Sequence, residues 1–298
     1  APGAGPRNAS GAGLAAQVAA SASASYSGAT GLQQAYLAQA ALCPGIAQAW
    51  DCGPCQHVPG VADVRAAGNR DLGTHSYVAK RGGRCVLAFR GTDSVQGWIQ
   101  DLKSMELVEL PGCASGGTAC GVGAGFWQDY SALEPKIKAD LEQIGCDKGT
   151  QLEIMGHSLG GALTMIAAFQ LKSQGYSVVS AYTFGSPRVG DSAFASAFRQ
   201  QMGSAAVFRV TNAGDPIPLL PPKDPFEHVG TEVYYTSGAS FTLCSGHEDQ
   251  ACSDGKHDAL FWMTVNCAMD TQSCPHLTYF APQLPFETQC HNSAMLFP

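Results

Sequence analysis

The chain is short of charge. Only 14% of its 298 residues are Asp, Glu, Lys or Arg, and the acidic groups outnumber the basic ones to leave a formal net charge of −7. That composition excludes a highly charged disordered chain. The shortage of cations, with no basic stripe interleaved with aromatics, excludes nucleic acid as a partner. Long apolar runs are also missing: none approaches the ~20 residues that span a bilayer, so a soluble chain with no transmembrane segment is expected. The first residue is Ala1, with no Met, no basic leader and no apolar leader behind it, and the chain reads as already processed. Large apolar side chains are scarce over residues 1–28, where Ala, Gly and Ser dominate. Such a segment buries too little surface to offset its ordering entropy. A flexible extension over 1–28 and a single domain over 29–298 are therefore predicted.

Cysteine, by contrast, is plentiful and even in number, at 12. Reducing compartments disfavour so many thiols, so the expectation is a secreted, extracellular protein stapled by disulfides. The triplet Asn8-Ala9-Ser10 fits this route as a glycosylation acceptor at Asn8.

Short apolar runs alternate with helical patterns along the rest of the chain. Strands are predicted over 76–79, 85–89, 151–155, 178–184, 206–210 and 231–236, and helices over 31–42, 126–144, 160–174 and 191–201. Alternation of this kind indicates an α/β fold with a mainly parallel central sheet flanked by helices. The continuous run Cys85-Val86-Leu87-Ala88-Phe89 suits a strand covered on both faces.

Gly156-His157-Ser158-Leu159-Gly160 fits G-x-S-x-G and sits between a predicted strand and a predicted helix. That context is the one a nucleophile elbow requires, because a sharp turn lifts the Ser hydroxyl above the helix N-terminus. Ser158 is the candidate nucleophile, and the Leu159 N–H faces a developing oxyanion. The alternative is a Gly-rich turn with no chemistry. A nucleophilic Ser needs a base and an orienting carboxylate. His276 and His257 compete for the first role. Asp215, after the apolar run 206–210, is either that carboxylate or a turn residue before Pro216. His157, beside the nucleophile, reads as structural.

Four ordered segments carry a resemblance. They are Gly156–Gly161; Phe89-Arg90-Gly91-Thr92 with Trp98-Ile99-Gln100-Asp101-Leu102; Asn212-Ala213-Gly214-Asp215-Pro216-Ile217-Pro218; and His276-Leu277-Thr278-Tyr279-Phe280. Together they resemble the filamentous-fungal class 3 lipases, an α/β-hydrolase family that includes triacylglycerol lipases and feruloyl esterases. The match runs over roughly residues 30–298, in the order Ser, Asp, His of α/β-hydrolases. The resemblance implies Ser158, Asp215 and His276 as the triad, and Thr92 beside Leu159 in the oxyanion hole. It departs at Gly123, where the family often has His, and at Pro275, where it often has Asp.

Over residues 93–103, Val95, Trp98, Ile99 and Leu102 recur at helical spacing. They form either one face of an ordinary surface helix or a lid that turns its apolar face to lipid. Position after the oxyanion strand favours the lid. The implied activity is that of a serine esterase: a triacylglycerol lipase working through an acyl-enzyme at a lipid–water interface, on acylglycerols. A soluble-ester hydrolase of feruloyl-esterase or mono/diacylglycerol type is the alternative, and a silent scaffold is the rival from outside catalysis. A monomer with no cofactor and no metal is expected. The resemblance suggests the disulfides Cys43–Cys290 and Cys244–Cys252. Cys52 and Cys55 read as a short bridge, proximity suggests Cys113–Cys120 and Cys267–Cys274, and Cys85 and Cys146 remain.

Overall fold

The computed structural model describes residues 25–92, 101–260, 264–265, 267, 274–280 and 284–285. Its frame is an eight-stranded sheet built from β1 (Val61–Asn69), β2 (Thr74–Arg81), β3 (Arg84–Phe89), β6 (Gln151–His157), β7 (Ser177–Phe184), β9 (Ala206–Asn212), β11 (Thr231–Ser237) and β12 (Ser240–Leu243). The spatial order is β1-β2-β3-β6-β7-β9-β11-β12. The five strands from β3 to β11 run parallel, and β1, β2 and β12 add antiparallel edges.

Both faces of the sheet are covered, which explains the apolar run in β3. Cys85, Leu87 and Phe89 face a core shared with α2 (Ala124–Gln143), α3 (Leu159–Ser173) and α4 (Ser192–Met202). Val86 and Ala88 face the other core, under α1 (Gly28–Ala40). The period-2 alternation of a strand thus divides one apolar run between two layers. Asp191 caps α4 by accepting from the Phe194 N–H at 2.8 Å.

A second, antiparallel sheet of β4 (Leu107–Ser115), β5 (Thr118–Gly123), β8 (Gly190–Asp191) and β10 (Phe226–Glu227) was not expected from the sequence. Pro111-Gly112 inside β4 reads as a turn. The strand tolerates the pair because it lies at the sheet edge and its register shifts between Glu109 and Ala114.

The boundary of the predicted extension also moves. Residues 25–28 belong to the folded domain, not to a flexible arm. Tyr26 is buried against Tyr182 and Phe208, its hydroxyl lies 3.0 Å from that of Tyr235, and Ser27 caps α1. One aromatic side chain supplies the anchoring that the surrounding small residues lack. Asn8 and residues 1–24 lie outside the described residues.

Disulfides join Cys52 to Cys55, Cys85 to Cys146, Cys113 to Cys120, Cys244 to Cys252 and Cys267 to Cys274. Cys43 is disulfide-bonded too; Cys290, suggested as its partner, lies outside the described residues. No described helix is long and apolar enough to cross a membrane.

Candidate active site

The site sits at the carboxyl ends of the parallel strands, where β6 turns sharply into α3. Ser158, at that turn, has φ 58° and ψ −126°, a conformation costly for any residue with a Cβ. Its N–H donates to the Phe184 carbonyl at 2.9 Å, which holds the strained turn against β7. The flanking glycines are there because nothing larger fits. A Cβ on Gly156 would lie 2.1 Å from the Gly160 carbonyl oxygen, and one on Gly160 would lie 2.3 Å from that of Phe89.

Three side chains distant in the chain, Ser158, Asp215 and His276, converge here, all essentially without solvent contact. The Ser158 hydroxyl lies 2.8 Å from His276 Nε2. His276 Nδ1 lies 3.0 and 2.9 Å from the two carboxylate oxygens of Asp215. An ionised carboxylate only accepts, so the proton belongs on Nδ1 and the Nε2 lone pair faces the hydroxyl. That chain of donors can draw the proton from Ser158 as its oxygen attacks an electrophile.

Each partner is held by groups that sequence reasoning did not assign. The Tyr279 hydroxyl donates to Asp215 Oδ2 at 2.5 Å, and the Ile217 N–H to Oδ1 at 2.9 Å. Burial, with the adjacent Asp215 charge, holds the Tyr279 phenol well above its ordinary range, so it remains a donor. Asn212 donates from its amide to the carbonyls of Pro275 and Thr278, at 3.1 and 2.7 Å, and so brackets His276. Arg188, fully buried, donates to the Leu219 and Pro221 carbonyls at 2.7 and 2.9 Å while pairing with Glu248 and Asp254. It therefore clamps the loop that follows Asp215.

His157 is structural in a stronger sense than expected. Its Nε2 lies 2.8 Å from the main-chain carbonyl oxygen of His276, and the two imidazoles are 4.6 Å apart between centroids. Burial pushes the His157 pKa far down, and the neighbouring His276 adds to the shift. The neutral ring donates through Nε2–H. The clue in the sequence was its place in the elbow itself; the partner is 119 residues away.

Leu159 opens α3, where the first N–H groups of a helix have no intrahelical acceptor. Leu159, the residue after Ser158, and Thr92 line one cavity of about 470 Å3. Of the expected lid residues, Val95, Trp98 and Ile99 lie outside the described residues. Leu102 is fully buried in the core with Phe126 and Tyr130, so it anchors this end of the segment and is not turned to lipid. The backbone of His257 lies in a short helical turn over Ser253–Ala259, and its side chain is outside the described residues. Among the described residues, Glu232, Cys244 and Cys252 lie close enough to share a metal ion, but both sulfurs are taken by their disulfide.

Residues 86–224 match the family Lipase (class 3). The secreted mono- and diacylglycerol lipase A of Penicillium cyclopium is 30% identical over 211 residues, covering 68% of this chain and 66% of that protein. The chain thus spans just under two thirds of that relative's length. The structure of lipase II from Rhizopus niveus superposes with a TM-score of 0.71 at 25% identity, over 85% of this chain and 94% of that one. A triacylglycerol lipase described as having a serine protease triad at its catalytic centre superposes with a TM-score of 0.68 at 26% identity, over 85% and 92%.

Proposed function

Because the chain belongs to the class 3 lipase family, we propose that it is a secreted serine carboxylic-ester hydrolase, a triacylglycerol lipase acting through an acyl-enzyme at a lipid–water interface. The observation that carries this reading is the continuous hydrogen-bond chain from Ser158 through His276 to Asp215 at a strained elbow. Ser158 is the nucleophile, His276 the base and Asp215 the orienting acid.

His276 Nε2 takes the hydroxyl proton as Ser158 Oγ bonds to the ester carbonyl carbon. The negative charge on the carbonyl oxygen is received by the N–H groups of Leu159, at the start of α3, and Thr92, in the segment after β3. Collapse breaks the bond to the alcohol oxygen, and His276 returns the proton to that leaving group. Water repeats the sequence on the acyl-enzyme and releases the carboxylic acid. The segment 93–103 acts as the lid over this site.

Secretion is supported by five disulfides among the described residues and by relatives named as secreted lipases. A second reading is favoured by the names of those same relatives: hydrolysis of mono- and diacylglycerols. The deciding experiment compares a long-chain triacylglycerol emulsion, a diacylglycerol, a soluble short-chain ester and methyl ferulate, with Ser158→Ala as control. Hydrolysis of the emulsion with a rate that climbs once droplets form supports the triacylglycerol reading. Turnover of the partial glyceride alone moves the conclusion to the second reading. Activity retained by Ser158→Ala overturns the triad.

A further inference from the structure

The cavity that Leu159 and Thr92 line is not built as a slot for a bare alkyl chain would be. Leu72, Met105 and Phe126 give it apolar walls, and Leu159, the residue after Ser158, lines it with Thr92, yet Asp129 also lines it. Asp129 lies one turn beyond Phe126 on α2, past the first turn of the helix, where the helix dipole gives a carboxylate no support. It is only partly exposed, and its carboxyl has no hydrogen-bond or ion-pair partner among the described residues. A half-buried carboxyl without a partner contributes no contact to the fold and costs desolvation. Asp101 and Glu106, at the same rim, are exposed and remain hydrated.

We propose that Asp129 is a specificity-determining residue: its carboxyl hydrogen-bonds a free hydroxyl on the ester that Ser158 attacks, so that hydroxyl-bearing esters are preferred to their plain alkyl counterparts. This rests on the reading of Ser158 as the nucleophile of an ester hydrolase. The preference has two parts. A hydroxyl replaces the water lost by the carboxyl, whereas an alkyl chain in the same place strips that water and returns nothing. Burial pushes the Asp129 pKa up to about 7, so both protonation states are populated near neutrality. A hydroxyl, which donates and accepts, suits either one. The hydroxyl could belong to the alcohol, as in a glycerol still carrying free positions, or to a hydroxylated acyl chain.

The test uses the full chain and two matched pairs of esters: glyceryl monolaurate against ethyl laurate, and ethyl hydroxystearate against ethyl stearate. Within each pair the ratio of kcat/KM values is taken for wild type, Asp129→Asn and Asp129→Leu. Comparing ratios between variants cancels differences in how the esters partition to an interface. The expected result is a ratio that falls about tenfold in Asp129→Leu, as for loss of one hydrogen bond to a partly desolvated carboxyl, and is largely kept in Asp129→Asn. A fall confined to the first pair assigns the hydroxyl to the alcohol; one confined to the second assigns it to the acyl chain. Ratios in Asp129→Leu within twofold of wild type in both pairs overturn the inference while ester hydrolysis stands. If wild type cleaves none of the four esters and a phosphonate fails to label Ser158, the reading of the enzyme falls and this inference with it. Asp129→Ala replaces the Leu variant if the larger side chain prevents folding.

Discussion

The neutral imidazole of His157 donates to the backbone carbonyl of His276 at 2.8 Å, so the residue preceding Ser158 holds the main chain of the proposed base. Elbow and base are thereby locked together across the carboxyl edge of the sheet. His157→Phe keeps a ring against His276 but removes the donor and leaves a buried carbonyl unpaired. The expected result is a loss of about 1–3 kcal/mol of stability, read by denaturant unfolding. The same variant should lower kcat on a soluble short-chain ester about tenfold or more with little change in KM, because a misplaced base weakens the transition state and not substrate binding. An unchanged kcat would show that His157 only fills space.

Tyr279 plays the same part for Asp215. Among the described residues, its hydroxyl is one of two groups that donate to Asp215 besides His276 itself. Tyr279→Phe leaves the ring packed against Phe184 and removes only the donor. Turnover of the soluble ester is expected to fall roughly tenfold, the scale of one charge-assisted hydrogen bond partly made up by the others. Steady-state kinetics on Tyr279→Phe, with circular dichroism to confirm folding, checks this.

The strain at Ser158 predicts opposite effects on activity and stability. Glycine accepts φ 58° and ψ −126° without a Cβ clash, whereas Ser does not. Ser158→Gly should abolish ester hydrolysis and raise the unfolding free energy by about 1 kcal/mol. Ser158→Ala should be equally inactive without that gain. Thermal unfolding of the two variants side by side decides it: a Gly variant no more stable than the Ala variant would mean the strain is not stored at this residue.

Asp129 makes stability depend on pH in a stated direction. Its folded pKa of about 7 lies above the ordinary carboxyl value of 3.8. Between those two values the folded chain holds a proton that the unfolded chain has released. Stability therefore falls as pH rises from about 4 to about 7, and the full cost is present above that. Asp129→Asn removes the titrating group. It should raise Tm relative to wild type at pH 8 and by much less at pH 4. Equal Tm differences at both pH values would contradict the burial-driven shift.

Much of the architecture was legible in the residues because it rests on local pattern. The strands β3, β6, β7, β9 and β11 and the helices α2, α3 and α4 appeared within a few residues of their predicted places. Their apolar runs are long and their periods unambiguous. The antiparallel sheet of β4, β5, β8 and β10 was missed because two of its strands are two residues long and a third carries Pro-Gly, and such strands exist only by pairing. Tyr26 stands among small neighbours, and composition does not reveal which single side chain finds a pocket.

The sequence by itself determined the elbow: Gly156, Ser158 and Gly160 lie within one turn, and their backbone requirements are local. It also carried Asp215 and His276 as candidates, though only a resemblance chose between His276 and His257. The tertiary structure alone decided what surrounds them. Tyr279 meets Asp215 across 64 residues, His157 meets His276 across 119, and Asp129 lines one cavity with Leu159, the residue after Ser158. Such contacts are set by how β6, β7 and β9 align their carboxyl ends and where the last loop crosses them. Hydrogen-bond geometry demands a fit of tenths of an ångström, and no periodicity or spacing along one chain encodes that.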